Sequence, residues 1–157
     1  MGRYTLQGVL MRFLILVFIS VLALGCKSTQ MQPGEREVGQ HDLAKKMFLA
    51  GFPYLTETQR DGVGLMFISP HASKDVTIDT LQLAFNSLSF NGKPMVALIY
   101  GSSNAEYGYE VLMTAMANVE SDLTGINIVY IGEPSQFESV EKTLSSKGAN
   151  VSTTQLN

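Results

Sequence analysis

Three short, almost continuous apolar runs constrain this chain more than any other feature. They are Val63-Gly64-Leu65-Met66-Phe67-Ile68, Met95-Val96-Ala97-Leu98-Ile99-Tyr100 and Ile126-Asn127-Ile128-Val129-Tyr130-Ile131. They begin at residues 63, 95 and 126, roughly 32 and 31 residues apart. A strand with one wet face alternates apolar and polar side chains, whereas unbroken runs suit strands covered on both faces. Between the runs the apolar residues recur at helical spacing. Ile78, Leu81, Phe85 and Leu88 form one such set, with Asn91-Gly92 closing the helix. Leu112, Ala115, Met116 and Val119 form the next, and Phe137, Val140 and Leu144 the third, ended by Gly148. Leu43, Met47, Leu49 and Ala50 mark a shorter helix over His41–Phe52, stopped by Pro53. Val151 to Gln155 reads as a last, more exposed strand.

Alternation at this spacing predicts an α/β fold: a small, mostly parallel sheet of three or four strands, with right-handed crossovers and helices on its faces. The period carries no repeated residue signature, so successive βα units are expected rather than a solenoid. Two capping boxes place helix starts, Ser103 with Glu106 and Ser135 with Glu138. In each, the serine oxygen accepts an N3 amide and the glutamate reaches back to the N-cap amide.

The first residues carry an address rather than a fold. Arg3 and Arg12 precede the apolar run Phe13 to Leu24. As a helix that run would span about 18 Å, short of a hydrocarbon core of about 30 Å. Positive charge, a short apolar run and then small residues is the layout of a signal peptide. The run closes in Ala23-Leu24-Gly25-Cys26. This segment resembles the lipobox of bacterial lipoproteins, and the resemblance extends no further along the chain. It implies that Cys26 becomes the acylated first residue (a palmitate-type chain) and, with Lys27 rather than Asp next, that the protein is sorted to the outer membrane. Ala23-x-Gly25 also satisfies the small-x-small rule of ordinary signal-peptide cleavage, which would leave a free periplasmic protein, and an uncleaved anchor is a third reading. Residues 1–25 are thus expected to be a signal peptide, 26–40 an acylated cysteine with a flexible tether (KSTQMQPGEREVGQ after Cys26), and 41–157 a periplasmic α/β domain.

Charge narrows the partners. Lys and Arg total 11 and Asp and Glu 14. Without Arg3 and Arg12 there remain 9 basic side chains against 14 acidic, a formal charge of −5. A nucleic-acid binder needs a basic stripe to neutralise phosphates, and none exists. There is no polybasic patch for anionic lipids either, so any membrane attachment rests on lipid at Cys26. One cysteine excludes an internal disulfide. His41 and His71 lack the spacing of zinc ligands. No metal and no cofactor is expected.

In open parallel sheets, ligands bind beyond the carboxyl ends of the strands. Three loops leave those ends, and they supply the candidate ligand or partner surface: Ser69 and His71 in the first, Gly101, Ser102, Ser103 and Asn104 in the second, Glu133 in the third. The second loop could present helix amides to an anion. It lacks the GxGxxG and GxxxxGKS patterns, and Glu106 would repel phosphate. A serine nucleophile beside His71 would need an orienting acid, an oxyanion hole and commonly a G-x-S-x-G elbow, which is missing. Asp75 and Asp79 read as first-turn helix residues rather than an acid–base pair. Tyr107 and Tyr109 suit an interface, although their spacing puts them on different helix faces. Met47, Met66, Met95, Met113 and Met116 read as core filling. The expectation is a membrane-anchored envelope lipoprotein acting as a non-catalytic protein-binding or accessory assembly component, with an envelope protein as partner. The alternative is a small-ligand-binding periplasmic domain using the strand-end loops, and a hydrolase stands third.

Overall fold

The computed structural model describes residues 33–156. The signal-peptide segment and Cys26 lie outside the described residues. Helix α1 is Pro33–Gly51, followed by a single 3-10 turn at Phe52–Tyr54 and the one-turn helix α2, Glu57–Arg60. Then come β1 (Val63–Ile68), α3 (Lys74–Ser87), a small hairpin of β2 (Ser89–Phe90) and β3 (Lys93–Pro94), β4 (Ala97–Ser102), α4 (Ala105–Ala117), β5 (Asn127–Ile131), α5 (Pro134–Ser145) and β6 (Asn150–Thr154). Among the described residues no helix is long and apolar enough to cross a membrane.

The fold is α/β. Strands β1, β4, β5 and β6 form one sheet in that spatial order, every neighbouring pair parallel. Val63, Ala97, Asn127 and Asn150 share one row across it. Each crossover steps to the next position in the same direction. Right-handed connections of that kind deliver their helices to one face, and the core divides accordingly. Leu81 and Phe85 of α3, Val111, Leu112, Ala115 and Met116 of α4, and Val140 and Leu144 of α5 pack with Met66, Ile68, Leu98, Tyr100, Ile128 and Tyr130. Met47 of α1 and Leu55 close the opposite face over Ala97, Ile99, Val129 and Ile131. The near-continuous apolar runs are explained by this: the two central strands are buried on both sides.

Four sequence expectations shift. Helix α1 starts at Pro33, well before His41, and takes in the second half of the segment read as a tether. Asn91-Gly92 does not close α3. That helix ends at Ser87 with Leu88 as its left-handed cap (φ 49°), and Asn91 (φ 51°) and Gly92 (φ 73°) are the two central residues of the β2–β3 turn. Two consecutive positive φ values are what a type I′ hairpin turn requires, and Asn-Gly is its preferred pair. Strand β4 sits two positions later than its apolar run, so Gly101 and Ser102 belong to the strand and Val96 stays 41% exposed.

The fourth shift moves both expected caps. Helix α4 is capped by Asn104, whose Oδ1 accepts the Tyr107 amide at 3.0 Å. Ser103 lies outside it. Helix α5 is capped by Glu133, with Pro134 in its first turn, so Ser135 is already helical. Gln136 Oε1 accepts the Glu133 amide at 3.1 Å, the return half of a capping box two residues earlier than Ser135-Glu138. Asn104→Ala should therefore cost about 0.5–2 kcal/mol of stability, while Ser103→Ala should leave the urea midpoint nearly unchanged. Equal losses in the two variants would return the cap to Ser103.

Candidate functional site

The parallel order puts the ends of β1, β4, β5 and β6 on one edge of the sheet, as the loop argument requires. The strands never reverse order, however, so the sheet has no topological switch point at which adjacent loops diverge to open a crevice. What exists instead is a shallow depression of about 220 Å³ lined by Ser102, Ser103, Ala105, Ile131, Gly132, Glu133, Gln155 and Leu156. It lies below the range of about 300–1,000 Å³ usual for small-molecule pockets.

Of the expected surface, Ser102, Ser103 and Glu133 line this depression, and Asn104 borders it as the α4 cap. Gly101 does not join them. It is buried in β4 where α1 crosses the sheet; a Cβ there would meet the Met47 methyl and stand 3.0 Å from the Ile131 carbonyl. Glycine is needed for the close approach of helix to strand. Ser69 and His71 also stand apart. The Ser69 Oγ accepts the His71 amide and the Gln40 Nε2, each at 3.3 Å. Among the described residues the His71 imidazole has no hydrogen bond to a serine hydroxyl.

The polar groups of the site mostly hold the protein to itself. The Ser102 hydroxyl donates to the Ile68 carbonyl at 2.7 Å, across the end of the β1–β4 ladder, and accepts the Asn104 amide at 3.1 Å. Its proton is thus committed to a backbone acceptor. Gly108 lets the first turn of α4 rest on this serine, because a Cβ at 108 would come within 2.6 Å of the Ser102 Cβ. Tyr107 donates from its hydroxyl to the Ala72 carbonyl at 3.1 Å and clamps the first loop to the second. Tyr107 and Tyr109 are both half-buried against the larger core rather than split between core and solvent.

Gln136, outside the surface expected from the sequence, joins the loops. Its Oε1 accepts the Tyr130 hydroxyl at 2.7 Å, and its Nε2 donates to the Ala105 carbonyl at 3.4 Å, which ties the second loop to the third. Glu133-Pro134-x-Gln136 carries the cap pattern that could have revealed it. Asp75 sits in the first turn of α3, but Asp79 lies beyond it, and both are exposed. Among the described residues no group of three His, Cys, Asp or Glu side chains could hold a metal.

Beneath the loops lies a tyrosine pair. Tyr100 and Tyr130 stack with ring centroids 6.1 Å apart, and the Tyr100 hydroxyl donates to the Gly108 carbonyl at 2.7 Å. Burial pushes both phenols above their ordinary range, with neighbouring tyrosines adding to the shift. The unfolded chain ionises these groups first. Their contribution to stability is complete below about pH 10 and is lost as the pH rises from there toward the folded-state values. Denaturant midpoints should fall steeply as the pH rises from about 10 to about 12, and less steeply in a Tyr100→Phe, Tyr130→Phe double variant. Equal slopes would remove the two phenols from the account.

Compared with known proteins, the chain matches no family model, no curated protein and no solved structure.

Proposed function

We propose that this chain is an envelope lipoprotein, held at the outer membrane through acylated Cys26, whose periplasmic α/β domain binds another envelope protein without catalysing a reaction. The address rests on the signal-peptide layout and the lipobox-like Ala23-Leu24-Gly25-Cys26. One structural observation supports the binding role above the others. Leu49 (60% exposed) and Tyr54 (50%) stand side by side on the α1 side of the sheet, rimming a broad, shallow depression of about 500 Å³ with Lys46, Ala50, Pro53, Thr154, Gln155 and Leu156. An exposed aliphatic–aromatic pair set among apolar Ala50, Pro53 and Leu156 and polar Lys46, Thr154 and Gln155 has the mixed composition of a protein interface.

The strand-end loops support a ligand reading less well, since Ser102, Tyr107 and Gln136 spend their polar atoms on backbone and side-chain partners within the domain. Pull-down from detergent-solubilised envelopes separates the two. The wild-type chain should retain one specific envelope protein, and a Leu49→Asp, Tyr54→Ala variant of unchanged thermal midpoint should lose at least ten-fold of it. Equal retention by the variant refutes this surface. Recovery of a bound metabolite in place of a protein, lost on Ser102→Ala, would favour the ligand-binding alternative.

A further inference from the structure

A cavity of about 400 Å³ opens where β1 begins, between that strand and the β2–β3 hairpin. Its size falls within the range of about 300–1,000 Å³ usual for small-molecule pockets. It shares no residue with the strand-end depression or with the surface around Leu49 and Tyr54. The hairpin that walls it is an addition to the βα rhythm: α5 reaches β6 through residues 146–149 alone, whereas α3 reaches β4 by way of β2 and β3. That wall is preformed. The Met95 amide donates to the Leu88 carbonyl at 2.8 Å and closes the hairpin base. Phe90 lies against β1 at Gly64, where a Cβ would come within 2.7 Å of its ring. Half-buried Phe90 and buried Met95 give the cavity apolar surface opposite Val63 and Leu65.

The strand side supplies unpaired backbone. The Asn127 amide donates to the Val96 carbonyl. With the strand register, this bond fixes the alternation across the sheet: even-numbered β4 residues bond β5, odd-numbered ones bond β1, and Gly64 and Met66 bond β4. The N–H and C=O groups of Val63 and Leu65 therefore point away from β4, and among the described residues no strand pairs with them. They repeat every two residues, about 6.8 Å along the strand, which is also the repeat of an extended peptide. Two opposite charges complete the lining. Asp61 and Lys93 are both exposed there, and neither is neutralised, since among the described residues the one ion pair is Lys74–Glu110.

We infer that this cavity binds a short apolar peptide with free termini, about two or three residues long, laid along the start of β1. Its amide groups meet the N–H and C=O of Val63 and Leu65, as in recognition by strand addition. Its ammonium meets Asp61 and its carboxylate meets Lys93. An apolar side chain packs against Phe90 and Met95. A ligand without a peptide group leaves the strand edge unmet, and one without both charges leaves Asp61 or Lys93 unmet. The inference does not rest on the proposed function, which concerns a different surface and a protein partner.

Calorimetric titration of the full chain with the dipeptide leucyl-leucine tests it, with the protein in detergent and empty micelles as the baseline. The wild type should show saturable one-to-one binding. Converting the dipeptide carboxylate to an amide should weaken wild-type binding about ten-fold. It should cost nothing further in Lys93→Gln, where the matching charge is already gone. Acetylating the amine should behave in the same way toward the wild type and Asp61→Asn. Both side chains are exposed, so both variants should keep the wild-type thermal midpoint. Free leucine should bind about ten-fold more weakly than the dipeptide. No saturable binding up to about 10 mM dipeptide overturns the inference. So does a blocking penalty that persists undiminished in the variants, and so does free leucine binding as tightly as leucyl-leucine.

Discussion

Leu98→Asp should leave no cooperatively folded domain. Leu98 is fully buried in β4, between Gly64 of β1 and Ile128 of β5, and it faces the core beneath α3, α4 and α5. No buried side chain of the described domain is charged, and the buried Tyr100 and Tyr130 hydroxyls already donate to Gly108 and Gln136, so an aspartate there would have no basic partner. It must either remain ionised in an apolar interior or take up a proton at a strongly raised pKa. Either course consumes several kcal/mol, and the lost leucine packing adds about 2–5 kcal/mol. A domain of ordinary stability has about 5–15 kcal/mol in total. Far-UV circular dichroism should show no sigmoidal melt. Leu83→Asp, at a position 71% exposed on α3, should melt within a few degrees of wild type. A cooperative transition in Leu98→Asp would mean that β4 is not the doubly covered strand described above.

The fold was legible where one strong physical signal acted alone. Strand β1 coincides with its apolar run, and the helices α3, α4 and α5 sit where period-3.6 spacing puts them. Elsewhere two signals competed for the same residues. Asn91-Gly92 is both a helix stop and a hairpin turn, and only the positive φ at both residues decides between them. Ser103-x-x-Glu106 is a sound capping pattern, but Asn104 follows immediately and is an equally good cap; the choice falls to the tight seat of Gly108 on Ser102, a tertiary contact invisible in local sequence. The first half of helix α1 is polar and carries no apolar spacing that would mark it as helical in the sequence.

The candidate site was legible as a location and not as a chemistry. Strand-end loops follow from the βα order, and the structure does gather Ser102, Ser103 and Glu133 around one depression. What hydrogen-bond bookkeeping adds is that Ser102 closes the β1–β4 ladder and Gln136 joins two loops. Gly101, read as part of the second strand-end loop, instead lies within β4 and admits Met47 of α1. Spacing along the chain cannot distinguish a glycine that opens a loop from one that lets a helix approach a sheet.

The attachment of the chain to lipid is the claim on which the proposed function stands, and it concerns a single atom, the Cys26 Sγ. Acylation there should be all or none, since the sequence has no second cysteine to substitute for it. One acyl chain gives only marginal, reversible binding, so a multiply acylated terminus is what stable anchoring requires. Without it, the acidic chain has no basic patch to keep it at an anionic membrane. The direct measurement is metabolic labelling with a fatty acid, followed by fractionation of cells expressing wild type or Cys26→Ser. The account predicts label and membrane recovery for the wild type, with both lost in the variant and the protein either released to the soluble periplasm or retained as unprocessed precursor. Equal label in Cys26→Ser, or an unlabelled wild type that fractionates as soluble, would contradict it.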